Sequence, residues 1–439
     1  MPNLPGRILL LSVGTGDLQR REETLFAPLQ KSIKDGEFAR VILLPSTITE
    51  QSANALKERS DGINIEVSPL PKAGQENNAD ACFEHFNAVI SSLIAEGTEP
   101  QCLVVDFTRG TKAMSAALVL AAVRHEIPRL RYITGDRDQR GMVIPGTEQI
   151  QRISPVLATG QRQLDFAKRF FREGNFAGAL AALPEIDNRL VGVWPETLVN
   201  VIQTVRPWAE FYAAWDRLDY RAANQIVQKM DVSSEDEWIH FAPNPTMLDW
   251  VRELASEPST FDHADYFSLR ALGTRRITID LFANGLRRMR HQQYEDAFIR
   301  AYRVLELVGQ IALFNRGFDS ADIPPDNPTV NDFIQIRKKK GKTAFSQDRN
   351  GKLMAAREQV AIFLKHLDDP LGKILLKLGS DQDLPIRKRN VSILIHGFKA
   401  EASSDEALLQ KMYNELEKVL VESNPESKVW LATARQLEF

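Results

Sequence analysis

Cysteine is almost absent from this 439-residue chain. Only Cys82 and Cys102 occur, with no CxxC pair and no Cys/His cluster, so neither a disulfide framework nor a zinc site is supported. Long hydrophobic runs are missing too. The apolar stretch from Ile8 to Val13 is too short for a signal peptide or a membrane span and ends in a glycine turn. A soluble cytoplasmic protein with no membrane association is therefore expected. Nor does charge of one sign dominate: 55 Lys and Arg stand against 58 Asp and Glu, a net charge of −3. That excludes a globally basic, histone-like binder, and any nucleic-acid contact must come from a local patch. No compact carboxylate cluster of the kind a metal-dependent DNA-cleaving enzyme needs can be picked out.

What is present is ample apolar material. At 43% hydrophobic residues over this length, two or three packed domains are expected. The first 155 residues alternate strand and helix. RILLLSVG (7–14), ARVILLPS (39–46), NIEVSPL (64–70), QCLVVDFT (101–108) and RLRYITGD (129–136) form a set of five strand-like runs. Helical stretches lie between them, clearest at 79–97 and 111–126. Apolar strands separated by helices indicate a parallel sheet covered on both faces, hence a Rossmann-like α/β domain.

Two glycine-bearing turns follow strands in this region: VGTGD (13–17) and DFTRGTK (106–112). In a doubly wound sheet, ligands bind at the carboxyl ends of the strands where the strand order reverses, and both turns sit where that rule points. Backbone N–H groups opening the 111–126 helix favour an anion there, and Lys112 adds a positive charge. GTGDLQ lacks the third glycine of a dinucleotide fingerprint and RGTK lacks the spacing of a P-loop, so a dehydrogenase reading is weak. Two ordinary tight turns would account for the glycines, but not for Thr108, Thr111 and Lys112 beside them.

From 156 to 270 the pattern turns helical, and an all-α connector is expected. DFAKRFFREGNFAGALAAL (165–183) reads as a helical hairpin that QYEDAFIRAYRVLELVGQIAL (293–313) echoes, with no third copy at fixed period. Tryptophans 194, 208, 215, 238 and 250 all fall in this middle segment, for core packing or, less simply, base stacking. The last part, 271–439, reads as a second all-α domain, with one amphipathic helix over 285–313 and a long insert over 315–352. Within the insert, RKKKGKTAFSQDRNGK (337–352) holds seven basic residues and one acidic residue, either a solvated loop or a nucleic-acid contact.

The stretch RNVSILIHGF (389–398) sets an arginine and a histidine seven positions apart around an apolar segment. At about 100° per residue, seven steps return to within about 20° of the same face, so Arg389 and His396 share one side of a helix, roughly 10 Å apart along it. Gly397 suits the position just past the helix end. A capping or packing histidine would look the same in isolation.

Taken together, VGTG, D-x-T-x-G-T-K and RN-x-S-I-L-x-x-H-G-F, in this order and around a helical connector, give the chain a family likeness. It resembles the CRISPR-associated ancillary ribonucleases of type III systems, built from a CARF sensor domain and a HEPN nuclease domain. The resemblance implies a CARF domain at 1–155, a connector at 156–270 and a HEPN ribonuclease domain at 271–439. It implies a homodimer whose paired CARF domains bind a cyclic oligoadenylate, tetra-adenylate ahead of hexa-adenylate, and whose paired HEPN domains then cleave single-stranded RNA without a metal or other cofactor. The family's R-x(4–6)-H motif maps onto Arg389 and His396, with Asn390 as the polar follower. Its ligand turns map onto Gly14, Thr15 and Gly16 and onto Thr108, Gly110, Thr111 and Lys112. Arg109 stands where many relatives carry glycine, and either limits backbone approach or supplies an extra phosphate contact. The rival readings are a nucleotide-sensing scaffold with an inactive HEPN-like domain and a nucleotide-dependent transcription regulator. Intact Arg389, Asn390 and His396 argue against the first, and the lack of a basic recognition helix against the second.

Overall fold

Ile8, Leu9, Leu10 and Leu11 are successive residues, so two of them must face each side of any sheet they join. Both sides are apolar. In the computed structural model, Ile8 and Leu10 pack into one buried cluster, whereas Leu9, Leu11 and Val13 pack into another. Each fully buried leucine in these layers contributes roughly 1.5–3 kcal/mol relative to an exposed one. The structure describes residues 6–437 except 18, 61, 138, 140–142, 145, 187–193, 231, 233–236, 257–265 and 381–405.

The central strand β1 (Arg7–Val13) lies between β2 (Phe38–Pro45) and β4 (Leu103–Asp106), parallel to both. Strand β3 (Ile65–Val67) adds beyond β2 and β5 (Leu130–Thr134) beyond β4, again parallel. A sixth strand, β6 (Gln149–Ile153), pairs antiparallel with β5, giving the order β3-β2-β1-β4-β5-β6. The five expected strands are present within a few residues of their expected ends; β6 is an addition. Helices α1 (Ala27–Lys34) and α2 (Glu50–Glu58) supply the cluster on one face. On the other face lie α3 (Ala79–Ala95) and α4 (Lys112–Arg124). This is the expected Rossmann-like α/β fold.

The chain then turns helical with α5 (Val156–Arg172), α6 (Phe176–Ala182), α7 (Glu196–Asp216), α8 (Tyr220–Val227) and α9 (Pro245–Ala255). By packing, the chain divides into two compact units: Met1–Phe166 with Ala182–Gln203, and Ala167–Ala181 with Thr204–Phe439. In the second unit Trp208, Trp215, Trp238 and Trp250 are all buried, with Trp238 against Phe171 and Phe241, Trp215 against Phe211 and Trp250 against Trp430. Four of the five middle tryptophans are therefore core, with no face free for a base.

The helix expected over 285–313 is instead two: α10 (Tyr266–Arg290) and α11 (Tyr294–Phe314). Gln292, at φ +58°, lies in the left-handed region that an α-helix cannot pass through. The two helices pack against each other as a hairpin. The long insert also needs correction, because it contains a helix, α12 (Pro328–Lys339), before a two-strand ladder of Ser346–Gln347 and Leu353–Met354. Asn327 caps α12 by accepting from the Thr329 and Val330 N–H groups, and Pro328 takes the first helical position. Helices α13 (Arg357–His366), α14 (Pro370–Ser380), α15 (Glu406–Ser423) and α16 (Ser427–Ala434) complete the unit.

One buried carboxylate organises this helical unit. Asp280, in the middle of α10, is fully buried. It accepts from Trp215 Nε1 of α7 at 2.8 Å, Trp250 Nε1 of α9 at 3.2 Å and the Tyr220 hydroxyl of α8 at 2.9 Å. Further along α10, a Cβ on Gly285 would stand 1.9 Å from the Tyr413 hydroxyl of α15, so only glycine fits that crossing. Tyr413 in turn donates to the Ala297 carbonyl of α11 at 2.7 Å.

Candidate functional site

Strands β1 and β4 are neighbours and run the same way, with Leu11 opposite Asp106, yet their sequence neighbours lie on opposite sides of the sheet. The order reverses between them, which opens a crevice at their carboxyl ends. Both glycine turns lead out of these strand ends. They approach closely: a Cβ on Gly14 would stand 2.7 Å from the Gly110 backbone nitrogen. Gly16 (φ +66°) and Gly110 (φ +117°) hold backbone angles that side-chain-bearing residues rarely adopt. Beneath them, the Ser12 hydroxyl of β1 donates to the Arg109 carbonyl, tying one turn to the other.

This brings Gly14, Thr15 and Gly16 to the same sheet edge as Gly110, Thr111 and Lys112. Thr111 is the N-cap of α4, its hydroxyl accepting from the Met114 N–H at 3.2 Å and donating to the Glu76 carbonyl. Lys112 is the first residue of α4 and is exposed, as is Thr15. The first-turn N–H groups of a helix have no partners within it, so this edge suits an anion. Glu76 is a residue the sequence reading missed. It is buried, and its Oε2 has no hydrogen-bond partner in the described structure. Nothing in its local sequence announces it, because its burial comes from α4 packing over the turn that holds it.

Thr108 is placed differently. Its hydroxyl donates to Asp106 and accepts from the Ile133 N–H at 2.8 Å, so it braces β4 against β5. Arg109 lines a recess of about 160 Å³ with Thr24, Glu23, Arg137 and Glu148. Burial foremost presses the Arg109 guanidinium below its ordinary pKa, while Asp106 and Glu148 pull it back up. Thr108 lines the same recess, so the bracing role of its hydroxyl and a place beside Arg109 on an open recess go together.

Arg389, Asn390 and His396 lie outside the described residues, in the segment between α14 and α15. The basic run is described. Arg337, Lys338 and Lys339 occupy the last turn of α12, where cations complement the helix dipole. Arg337 also donates to the Thr343 carbonyl at 3.2 and 3.3 Å, and Lys352 pairs with Asp322 at 2.9 Å. Lys338, Lys339, Lys340 and Lys342 remain exposed. Among the described residues no group of three or more His, Cys, Asp or Glu side chains could hold a metal ion, and no helix is long and apolar enough to cross a membrane.

Comparison with known proteins agrees with this architecture. Residues 271–426 match the family model of the Csm6 HEPN domain. The fold follows that of Enterococcus italicus Csm6 bound to cyclic hexa-2′-fluoro-hexa-dAMP, with a TM-score of 0.59, 12% identity, and coverage of 99% of this chain and 100% of that one. Protein VC1899 from Vibrio cholerae is a distant match, at a TM-score of 0.23 and 11% identity over 56% of this chain and 68% of its own. No curated protein matches in sequence. The resemblance to the CARF–HEPN ribonucleases of type III CRISPR systems is borne out over 271–426 by the HEPN family match, and along the chain the likeness is one of fold.

Proposed function

Starting from a Csm6-type HEPN region, we propose that this chain is a cyclic oligoadenylate-activated, metal-independent endoribonuclease that cleaves single-stranded RNA in type III CRISPR defence. The observation that carries the reading is the HEPN match over 271–426, because Arg389, Asn390 and His396 fall inside it. The division of labour is sensor at 1–155, connector at 156–270 and nuclease at 271–439. The chain acts as a cytoplasmic homodimer.

The chemistry asked of the nuclease is modest. RNA carries its own nucleophile, the ribose 2′-hydroxyl, so a proton carrier and a cation at the crowded phosphate suffice. Arg389 offers a planar, permanently charged fork for two phosphate oxygens. His396 supplies an imidazole, the side chain suited to carry protons at physiological pH, to move protons to and from the reacting oxygens. Asn390 holds the polar position beside them. A twofold axis brings two such pairs into one cleft.

In the sensor, Thr15, Thr111, Lys112 and the α4 N-terminus take the phosphates of the activator, Thr108 and Arg109 line the adjoining recess that receives it, and Gly14, Gly16 and Gly110 allow close backbone approach. The ligand of E. italicus Csm6 belongs to the same chemical class, a cyclic hexanucleotide. We expect the tetra-adenylate ring to be preferred here, and titration with both rings decides between them. Lys112→Glu replaces an attraction by a repulsion and opposes an anion at the helix end. A charge-assisted contact is worth roughly 1.5–3 kcal/mol, so the activator concentration for half-maximal RNA cleavage should rise at least about tenfold. The rate at saturating activator should return to near wild type, since the nuclease residues are untouched. An unshifted titration curve would remove the sensor half of this reading.

A further inference from the structure

The opposite end of the sensor sheet holds a second cationic cavity. It has a volume of about 310 Å³ and is built where the parallel strands begin, away from the crevice at their carboxyl ends. Arg7 is the first residue of β1 and Arg129 directly precedes β5, while Arg131 lies on β5 and Arg152 on the antiparallel β6. All four line the cavity, and the single carboxylate among its lining residues is Asp35.

The ion pairing within this group is uneven. Asp35 is shared between Arg152 at 3.2 Å and Arg131 at 3.7 Å. Arg131 is almost wholly buried, lies 3.3 Å from the buried Asp106, and donates to the Ser32 hydroxyl at 2.7 Å. That guanidinium is committed to the core. Arg129 donates to the Gln101 carbonyl, a neutral acceptor, and Arg7 forms no ion pair among the described residues. Two guanidinium groups therefore share one cavity with no carboxylate of their own. Burial and then the Arg7 charge press Arg129 below its ordinary pKa, as expected of cations gathered without a counter-ion. Close like charges cost free energy unless an anion completes them, and arginine forks match phosphate oxygens in geometry. Val104, Leu130 and Phe38 give the same cavity an apolar wall. Its volume falls at the lower end of the range for small-molecule pockets.

We propose that this basal cavity is a second anion site of the sensor domain, taking the diphosphate group of a small molecule on Arg7 and Arg129. Two sources share that chemistry: inorganic pyrophosphate and a nucleoside diphosphate whose base would use the apolar wall. The proposal does not depend on the ribonuclease reading, because it concerns the other end of the strands.

Calorimetric titration of the full-length protein with pyrophosphate and, separately, with ADP tests it, using sodium chloride at matched ionic strength as the control. One saturable site per chain is expected for at least one of them. Tighter binding of ADP would identify the nucleoside diphosphate as the source, and equal or tighter pyrophosphate the inorganic anion. Arg129→Ala should weaken binding at least about tenfold. Arg7→Glu should do the same without a fold defect, because Arg7 is exposed, and an unchanged melting temperature would verify this. Lys112→Glu, at the far end of the strands, should leave the site intact. Absence of saturable binding, or binding lost in Lys112→Glu but retained in both arginine variants, overturns the proposal.

Discussion

His396→Ala is expected to abolish activator-dependent RNA cleavage, lowering the single-turnover rate by about 10²–10⁴-fold, the usual worth of a positioned proton carrier. The argument rests on spacing and chemistry. Arg389 and His396 are seven residues apart, so a helix carries both on one face. The reaction needs one fixed cation and one group that titrates near pH 7. Melting temperature and oligomeric mass should stay close to wild type, because the proposed role asks His396 to meet substrate rather than to fill a core. Arg389→Ala should behave alike. Arg389→Lys should recover only part of the rate, since a point charge cannot reproduce a two-pronged contact. Full cleavage by His396→Ala at saturating activator would remove these residues from the active site.

Asp280→Ala should cost the helical unit about 3–5 kcal/mol and lower its melting temperature by about 10 °C. The substitution leaves the indole N–H groups of Trp215 and Trp250 and the Tyr220 hydroxyl without their acceptor. Each orphaned buried donor costs about 1–3 kcal/mol. Asp280→Asn should cost less, as its carbonyl oxygen still accepts while its NH₂ faces donors. Burial is the leading influence on Asp280 and raises its pKa, against Arg287 and the three donors. A carboxyl raised on folding stabilises most below its unfolded pKa, and that contribution is lost as pH rises through the folded value. The stability gap between wild type and Asp280→Asn should therefore narrow from pH 4 towards neutrality. Denaturant melts across that range measure both effects, and a wild-type-like melt of Asp280→Ala would show that the node does not hold the helices together.

Which parts of the molecule were legible in the sequence follows from how local their causes are. The β1 run could be read because both faces of the strand are buried, so Ile8, Leu9, Leu10 and Leu11 form an unbroken apolar series. The two glycine turns could be read because glycine at Gly14 and Gly110 answers a local need for close backbone approach. Strand β6 escaped notice because its residues, QIQRI, are mostly exposed and show no clean alternation. The break between α10 and α11 rests on one left-handed residue, Gln292, where neither glycine nor asparagine marks the spot. Helix α12 had its start signal in Asn327 and Pro328, but the surrounding Asp, Asn and Gly residues read as a loop. Asp280, Glu76 and the Arg131–Asp106 pair were not legible at all. Their partners lie on other elements, 30 to 65 residues away for Asp280, and no spacing rule connects them.

The central claim is tested most directly by incubating the purified protein with 5′-labelled single-stranded RNA, cyclic tetra- or hexa-adenylate, and EDTA. The account predicts no cutting without a cyclic oligoadenylate, rapid cutting with one, no loss of rate in EDTA, and products ending in 2′,3′-cyclic phosphate. Cleavage that ignores the activator, or that needs added Mg²⁺ and leaves 3′-hydroxyl ends, would contradict it.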